Sequence, residues 1–298
     1  MTDELASWSV QSGTEPPIAA LRGVQRVWSQ PLADQCFAEI LETSSVLDKA
    51  RMLAVSAKES GAWLHALPAA CLGNLLNDDA LRISVGLRLG APLCEAHTCR
   101  CSAQVDIYGR HGLSCKYSAG RHSRHSSLND SIKRALVSCQ IPTILEPNGI
   151  LRDNSVKRPD GMTQIPWKEG KALVWDVTCV DTLCQTYVAG CFDKAGYAAG
   201  RAEGLRVDRY TNLEERYFFS PVGFEVYGTF GPAATDLLYE IGKKMRDRTG
   251  EKRSSEFLRQ RVSIDIQRGN SACVLGTFPH ARGLKEVFFV LDIQKQVV

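Results

Sequence analysis

The stretch Ala172-Leu-Val-Trp-Asp-Val-Thr-Cys-Val180 constrains the fold more than any other part of the chain. It is rich in β-branched and aromatic side chains and almost continuously apolar, so it reads as a strand buried on both faces. Such a strand belongs in a sheet with other layers against it. Around it the pattern predicts short strands at Thr143 to Leu145, at about Lys157 to Met162 and at Val222 to Tyr227. It predicts helices at Ser127 to Cys139, about Tyr187 to Leu205, Pro232 to about Arg248 with proline at N1, and Ser255 to Ile266. In the Ser127 helix, Leu128, Ile132, Ala135, Leu136 and Cys139 share one face, and Ser127 with Asp130 suits a capping-box variant. Gly190, Gly196, Gly200 and Gly204 weaken the next helix. The order α-β-β-β-α-β predicts an α/β domain, a mixed sheet flanked by helices, over residues 127–275.

Upstream of it, residues 1–20 contain Ser-Gly-Thr-Glu-Pro-Pro and read as a disordered lead. Residues 21–93 carry apolar positions at helical spacing and read as a helical segment, with Asn77-Asp78-Asp79 as a helix entry. Residues 94–126 are cysteine-rich and then basic, and residues 276–298 form a C-terminal tail. At 298 residues, 44% hydrophobic and 23% charged, the chain fits one or two globular domains and neither a disordered nor a collagen-like class. Met1 to Pro17 lacks the basic start and apolar stretch of a secretory signal, and no apolar run is long enough to span a bilayer. An intracellular protein is expected, whose eleven cysteines are free thiols or metal ligands.

The net charge of +3 is unevenly spread. Residues 1–60 hold five basic against eight acidic residues, residues 100–134 seven against two, and residues 243–268 nine against four. Two basic patches point to a polyanion as partner, although either alone is equally a solvated face.

Cys99-x-Cys101, then nine residues, then His111-x-x-x-Cys115 offers three thiolates and an imidazole, the set zinc takes in a closed structural tetrahedron. Gly109 and Gly112 lie in the intervening loop and let it turn back tightly. Cys-x-Cys is tighter than the common Cys-x-x-Cys, which leaves Cys94 or His97 as a replacement for one of the pair. The bland reading is a group of reduced cysteines beside a surface histidine. With zinc bound, Lys116, Arg121 and Arg124 would be presented to phosphates. His122 and His125, in Arg-His-Ser-Arg-His just before a helix, suit phosphate at its N-terminus or a solvated loop.

Asp176 sits in the middle of the apolar strand, where an ionised carboxylate is costly unless paired or bound to a metal. Asp160, in Arg158-Pro159-Asp160, lies on the preceding strand, and a turn at about Pro166 to Gly170 brings the two side by side. Two carboxylates suit Mg2+ or Mn2+ with water and phosphate oxygens, and Glu146 offers a third. Phosphodiester hydrolysis is the chemistry such an ion supports. Alternatively, Asp160 begins a turn with Gly161 and Asp176 pairs with an arginine in the core.

Together, Cys99-x-Cys101, Asp106-x-x-Gly109-x-His111-Gly-Leu-Ser-Cys115, Arg124-His125, Glu146-Pro147, Arg158-Pro159-Asp160 and Trp175-Asp176-Val-Thr178 stand in an order that resembles the C-terminal region of non-LTR retrotransposon polyproteins. There a CCHC zinc knuckle precedes a PD-(D/E)xK, restriction-endonuclease-like domain. The resemblance spans about residues 60 to 275. It implies a nuclease that nicks target DNA to prime reverse transcription, with Asp160, Asp176 and less certainly Glu146 as metal-binding carboxylates. Thr178 stands where the motif lysine would be. The family's alternative lysine, before a tyrosine on the next helix, corresponds to Arg209-Tyr210, and Lys194 is a possible substitute. Arginine is a poor proton donor or acceptor. The partner implied is DNA, with RNA as an alternative, and the location nuclear. No reverse-transcriptase core is present, which suggests a fragment of an element or a gene derived from one. Three functions compete: a metal-dependent DNA endonuclease, a catalytically inactive nucleic-acid-binding module, and an interaction domain with no ligand at either cluster.

Overall fold

The computed structural model describes residues 2–18, 25–150, 158–213 and 215–278. The start expected for the second strand, near Lys157, and most of the C-terminal tail lie outside the described residues. The chain divides into two compact units, Met1–Lys49 and Ala50–Val298. In the first, α1 (Thr2–Ser12) precedes α2 (Gln25–Thr43), so much of the segment read as a disordered lead is helical. The Trp8 indole N–H donates to the Trp28 carbonyl at 3.2 Å and the two rings meet edge to face. That contact supplies an apolar partner which spacing alone did not reveal.

The chain passes through α3 (Val46–Ser56) into the second unit. There α4 (Asp78–Leu89) begins where expected, with the Asn77 side chain accepting from the Ala80 N–H at 2.8 Å. A short hairpin, β1 (His97–Thr98) and β2 (Gln104–Val105), and one helical turn, α5 (His111–Ser114), make up the cysteine-rich segment. Next come α6 (Ala119–Ser138) and a four-stranded sheet, β3 (Thr143–Leu145), β4 (Gly161–Lys168), β5 (Lys171–Val180) and β6 (Phe218–Glu225). The first three strands pair antiparallel in sequence order and β6 runs parallel to β5, giving a mixed sheet and an α/β fold. Between β5 and β6 lie α7 (Val188–Cys191) and α8 (Tyr197–Arg209), and α9 (Pro232–Thr249) and α10 (Ser254–Leu275) follow the sheet.

Strand β5 is buried on both sides, and its two-residue alternation sorts the core. Leu173, Trp175 and Val177 pack against Leu128, Ile132 and Leu136 of α6, with Leu237, Ile241, Leu258 and Val262 from α9 and α10. Val174 points the other way, into a cluster with Tyr210 and Leu213. Asp176 shares that second face, beneath α8.

Several expected helix boundaries move; the last helix, expected to end at Ile266, runs on as α10 to Leu275. Helix α6 starts eight residues early, so Ser127 and Asp130 are interior positions; no capping box forms, and Asp130 pairs with Arg134 at 2.7 Å. The extra turns are held by close packing on α10. A Cβ at Gly120 would fall 2.5 Å from the Cys273 nitrogen, and Gly269 lies under the Arg124 side chain. His122 and His125 are therefore on the helix, not before it. The helix expected from Tyr187 is interrupted at Gly196, whose φ of +79° breaks α7 from α8.

Two buried glutamates tie this break to the sheet. Glu225 accepts from the Ala199 N–H at the start of α8 and from the Thr182 hydroxyl. Glu203 accepts from the N–H groups of Gly223, Ala233 and Ala234, joining α8, β6 and the start of α9. A carboxylate at a helix N-terminus satisfies orphan donors and favours the helix dipole. Glu203→Ala should therefore destabilise the chain by about 3 kcal/mol, because three N–H groups lose their acceptor; a urea midpoint within error of wild type would refute that role.

Asp160 and its neighbour depend on a steric detail. Gly161 pairs with Trp175 across the sheet, and a Cβ there would lie 2.0 Å from the indole ring. The glycine makes room for the tryptophan; it opens β4, paired with Leu145 on one side and Trp175 on the other, in place of the turn that the alternative reading had there. The Trp175 N–H in turn donates to Asn129 Oδ1 at 2.9 Å, anchoring α6. Gly161→Ala should cost about 1–3 kcal/mol by displacing the ring, visible as a lower melting temperature with a changed tryptophan emission.

Candidate metal centres and the cleft between them

The Cys/His set is brought together by the β1–β2 hairpin and α5. The ligand atoms of Cys99, Cys101, His111 and Cys115 all lie within 4.8 Å of one another. Cys99 Sγ is 3.9 Å from Cys115 Sγ, and Cys101 Sγ is 3.1 Å from His111 Nε2. A tetrahedral ion with Zn–S bonds of about 2.3 Å separates its ligand atoms by roughly 3.5–3.8 Å. The donor chemistry and the spacing therefore fit a metal ion such as zinc. Neither open alternative joins the set. Cys94 Sγ is directed to the Asp106 carbonyl at 3.5 Å, and His97 is held by the Glu95 carbonyl and the Thr277 hydroxyl while its ring stacks on Phe278. Gly109 makes the tight return with φ of +65°. Gly112 serves packing instead: a Cβ there would meet the Cys273 carbonyl at 2.6 Å. Burial pushes the Cys115 thiol up to about 11, while the Ala103 backbone hydrogen bond lowers that of Cys101. A thiol held up by burial in this way would need a cation to ionise at neutral pH.

The second constellation lies where β4 and β5 adjoin. The Asp160 N–H donates to the Trp175 carbonyl at 3.0 Å, which fixes its backbone beside Asp176. Asp160 Oδ2 accepts from the Val177 N–H at 2.6 Å, and Oδ1 lies 3.1 Å from His125 Nε2. Asp176 Oδ1 accepts from the Tyr210 hydroxyl at 3.1 Å, and Oδ2 is 3.0 Å from Arg206 Nε. Burial, followed by the charge of Asp160, pushes Asp176 up to about 6, against the pull of Arg206. The hydrogen bond with Asp160 raises His125. Two carboxylates that resist joint ionisation are a pair that a divalent cation would relieve.

Between the two constellations runs a cleft of about 430 Å3, lined by Lys116, Arg121, His122, Arg124, Arg206 and Thr178 among others. Its basic lining comes from the segment after Cys115 and from α6 and α8. In comparisons with known proteins the chain matches no family model and no curated protein. The site therefore rests on its own geometry.

Several expected residues have other placements. Glu146 does not supply a third carboxylate. Its side chain pairs with Arg158 and is largely exposed, while its N–H donates to the Asp160 carbonyl. Among the described residues, only the Cys/His set brings three or more such ligand atoms together. Arg124 is 2% exposed and donates to Asn270 Oδ1 at 2.6 Å, so it braces α6 on α10 more than it offers a hand to solvent. Arg209 lies over the Tyr210 ring, 5.4 Å from its centroid, near enough that its charge favours ionised Asp176, whereas Lys194 lines a different cavity with Tyr197, Arg201 and Asp236. Asp176 does pair with an arginine, as the alternative reading had it; that arginine is Arg206 of α8, which spacing did not single out, and neither did it single out Asn129. The signal was present: Arg206 and Tyr210 stand four apart on one helix face.

Proposed function

We propose that this chain is a metal-dependent DNA endonuclease, derived from a non-LTR retrotransposon, with a restriction-endonuclease-like core behind a structural zinc knuckle. The observation that carries the reading is the convergence of Asp160, just before β4, and Asp176, within β5, beside a cleft lined with basic side chains. In this reading Cys99, Cys101, His111 and Cys115 hold zinc, and Asp160 and Asp176 hold magnesium or manganese. A divalent ion there supplies charge to the attacked phosphate and acidifies a bound water.

The chain's own groups do the rest. Tyr210 and the Val177 N–H orient the two carboxylates, and Lys116 and Arg121 draw the phosphodiester backbone into the cleft. The His125 ring next to Asp160 is placed to hold a proton beside the reacting phosphate. Thr178 lines the same cleft and contributes a hydroxyl where the motif would have an amine.

A second reading, a nucleic-acid-binding module without turnover, is favoured by two features: Arg206 pairs with Asp176, and β5 contributes Val177, Thr178 and Cys179 but no lysine to the cleft. Incubating supercoiled and branched DNA with the protein, with Mg2+ or Mn2+ and with EDTA, separates the two. Metal-dependent nicking is expected. Salt-sensitive binding with no nicking in any metal would leave only the module.

A further inference from the structure

Arg206 has two environments at once. Its Nε reaches a carboxylate that is only 7% exposed, while 27% of its own side chain remains open, and it lines the cleft with Lys116, Arg121 and Thr178. The oxygen it touches, Asp176 Oδ2, belongs to one of the two carboxylates that would hold the ion. Asp176 Oδ1 is already accepting from Tyr210, and both Asp160 oxygens have partners in the Val177 N–H and His125. Each oxygen keeps a second lone pair, so an ion arriving at this pair competes most directly with a cation already bound there. Among the partners of the pair, Arg206 is the long, flexible cation with somewhere else to go.

We propose that Arg206 changes partner: it holds Asp176 Oδ2 until a divalent ion takes that oxygen, and it then donates to a phosphate of the strand in the cleft. This rests on the metal-centre reading given above. The physics is a competition of two cations for one carboxylate. A divalent ion bonds oxygen at about 2.1 Å and repels a guanidinium from the same atom. An unpaired buried carboxylate is unfavourable, so a resident cation is expected where the ion is absent. Once displaced, the guanidinium meets the ligand its planar fork suits best, a phosphate. Arg206 sits one helical turn before Tyr210, so Tyr210 keeps Asp176 in place through the exchange. The cation that the sequence lacks at Thr178 thereby comes from the helix above the strand.

The test begins with Mn2+ titrated into the zinc-loaded chain without DNA, following the electron paramagnetic resonance of free ion. Wild type, Arg206→Met, Arg206→Lys and Asp176→Asn are compared. With its competitor gone, Arg206→Met should bind Mn2+ about tenfold more tightly, and Arg206→Lys about threefold, because an ammonium holds the carboxylate less well than a fork. Duplex DNA binding in Ca2+ over a series of salt concentrations should lose one phosphate contact in Arg206→Met, a slope smaller by about 0.9. Mn2+ affinity unchanged or weakened in Arg206→Met, or a salt slope equal to wild type, overturns the exchange. Should the Met variant lose its near-ultraviolet dichroism, the Lys variant decides: affinity no tighter than wild type overturns the proposal. A separate outcome concerns the underlying reading. If wild type and Asp176→Asn take up Mn2+ alike, the aspartate pair is not a metal centre, whatever Arg206 does.

Discussion

Asp176→Asn is expected to slow metal-dependent nicking by about a thousandfold or more while leaving the fold intact. The substitution keeps the shape of the side chain, and its amide oxygen can still accept from Tyr210. It removes the charge on which a divalent ion depends. Burial and the nearby Asp160 already oppose ionisation of this group, so a neutral amide relieves a penalty at the cost of the Arg206 pair. The melting temperature should therefore stay within about 3 °C of wild type or rise. A residue kept only for the core would behave in the opposite way, with a lower melting temperature and unaltered nicking. Rates on supercoiled plasmid and a thermal melt on the same preparations distinguish the cases. Asp160→Asn should match it in activity but lose more stability, because the short bond from the Val177 N–H loses its charged acceptor.

Loss of the Cys/His metal should have the larger effect on the fold. Residues 97–115 form a two-rung hairpin and one helical turn with a small buried cluster of Cys99, Val105 and Cys115, and of their side chains Leu113 alone joins a larger apolar cluster. Such a segment buries too little to order itself, and metal binding would supply the difference. One zinc per chain is expected by elemental analysis. Cys115→Ser, or a strong chelator, should lower the melting temperature by about 10 °C and weaken DNA binding, because Lys116 and Arg121 follow directly on the last ligand. A chain that contains no zinc and melts identically with and without chelator would remove the knuckle from the account.

Legibility in the sequence followed the physics of each element. The strand around Asp176 was plain because continuous burial leaves a continuous apolar signature, and Thr143–Leu145 and the Pro232 helix were marked by their own residues. The Cys/His ligands could be named because their geometry is almost wholly local. Elements whose limits depend on tertiary packing were read less well. The start of α6 is set by Gly120 against α10 and by Arg124 over Gly269 of α10, contacts about 150 residues apart in the chain. The break before α8 was visible only as a surplus of glycines. At the aspartates, spacing brought Asp160 and Asp176 together and offered Glu146 as a third carboxylate, while the resemblance offered Lys194 as a substitute for the motif lysine. Reach along the chain does not reveal direction, and each side chain found another setting. Arg206 was missed because arginine on an exposed helix is ordinary until the carboxylate beneath it is known.

Helix α6 emerges from the segment that follows Cys115, lays Leu128 and Ile132 in the core, and places His125 against Asp160 and Asn129 against the Trp175 ring. One continuous helix thus carries His122, Arg124 and His125 of the cleft lining, the last of them the partner of Asp160, so their mutual spacing is set along a single axis. If the cleft takes DNA, as proposed, the strand must meet that set spacing, so flexible, nicked or branched DNA should be engaged more readily than a stiff straight duplex.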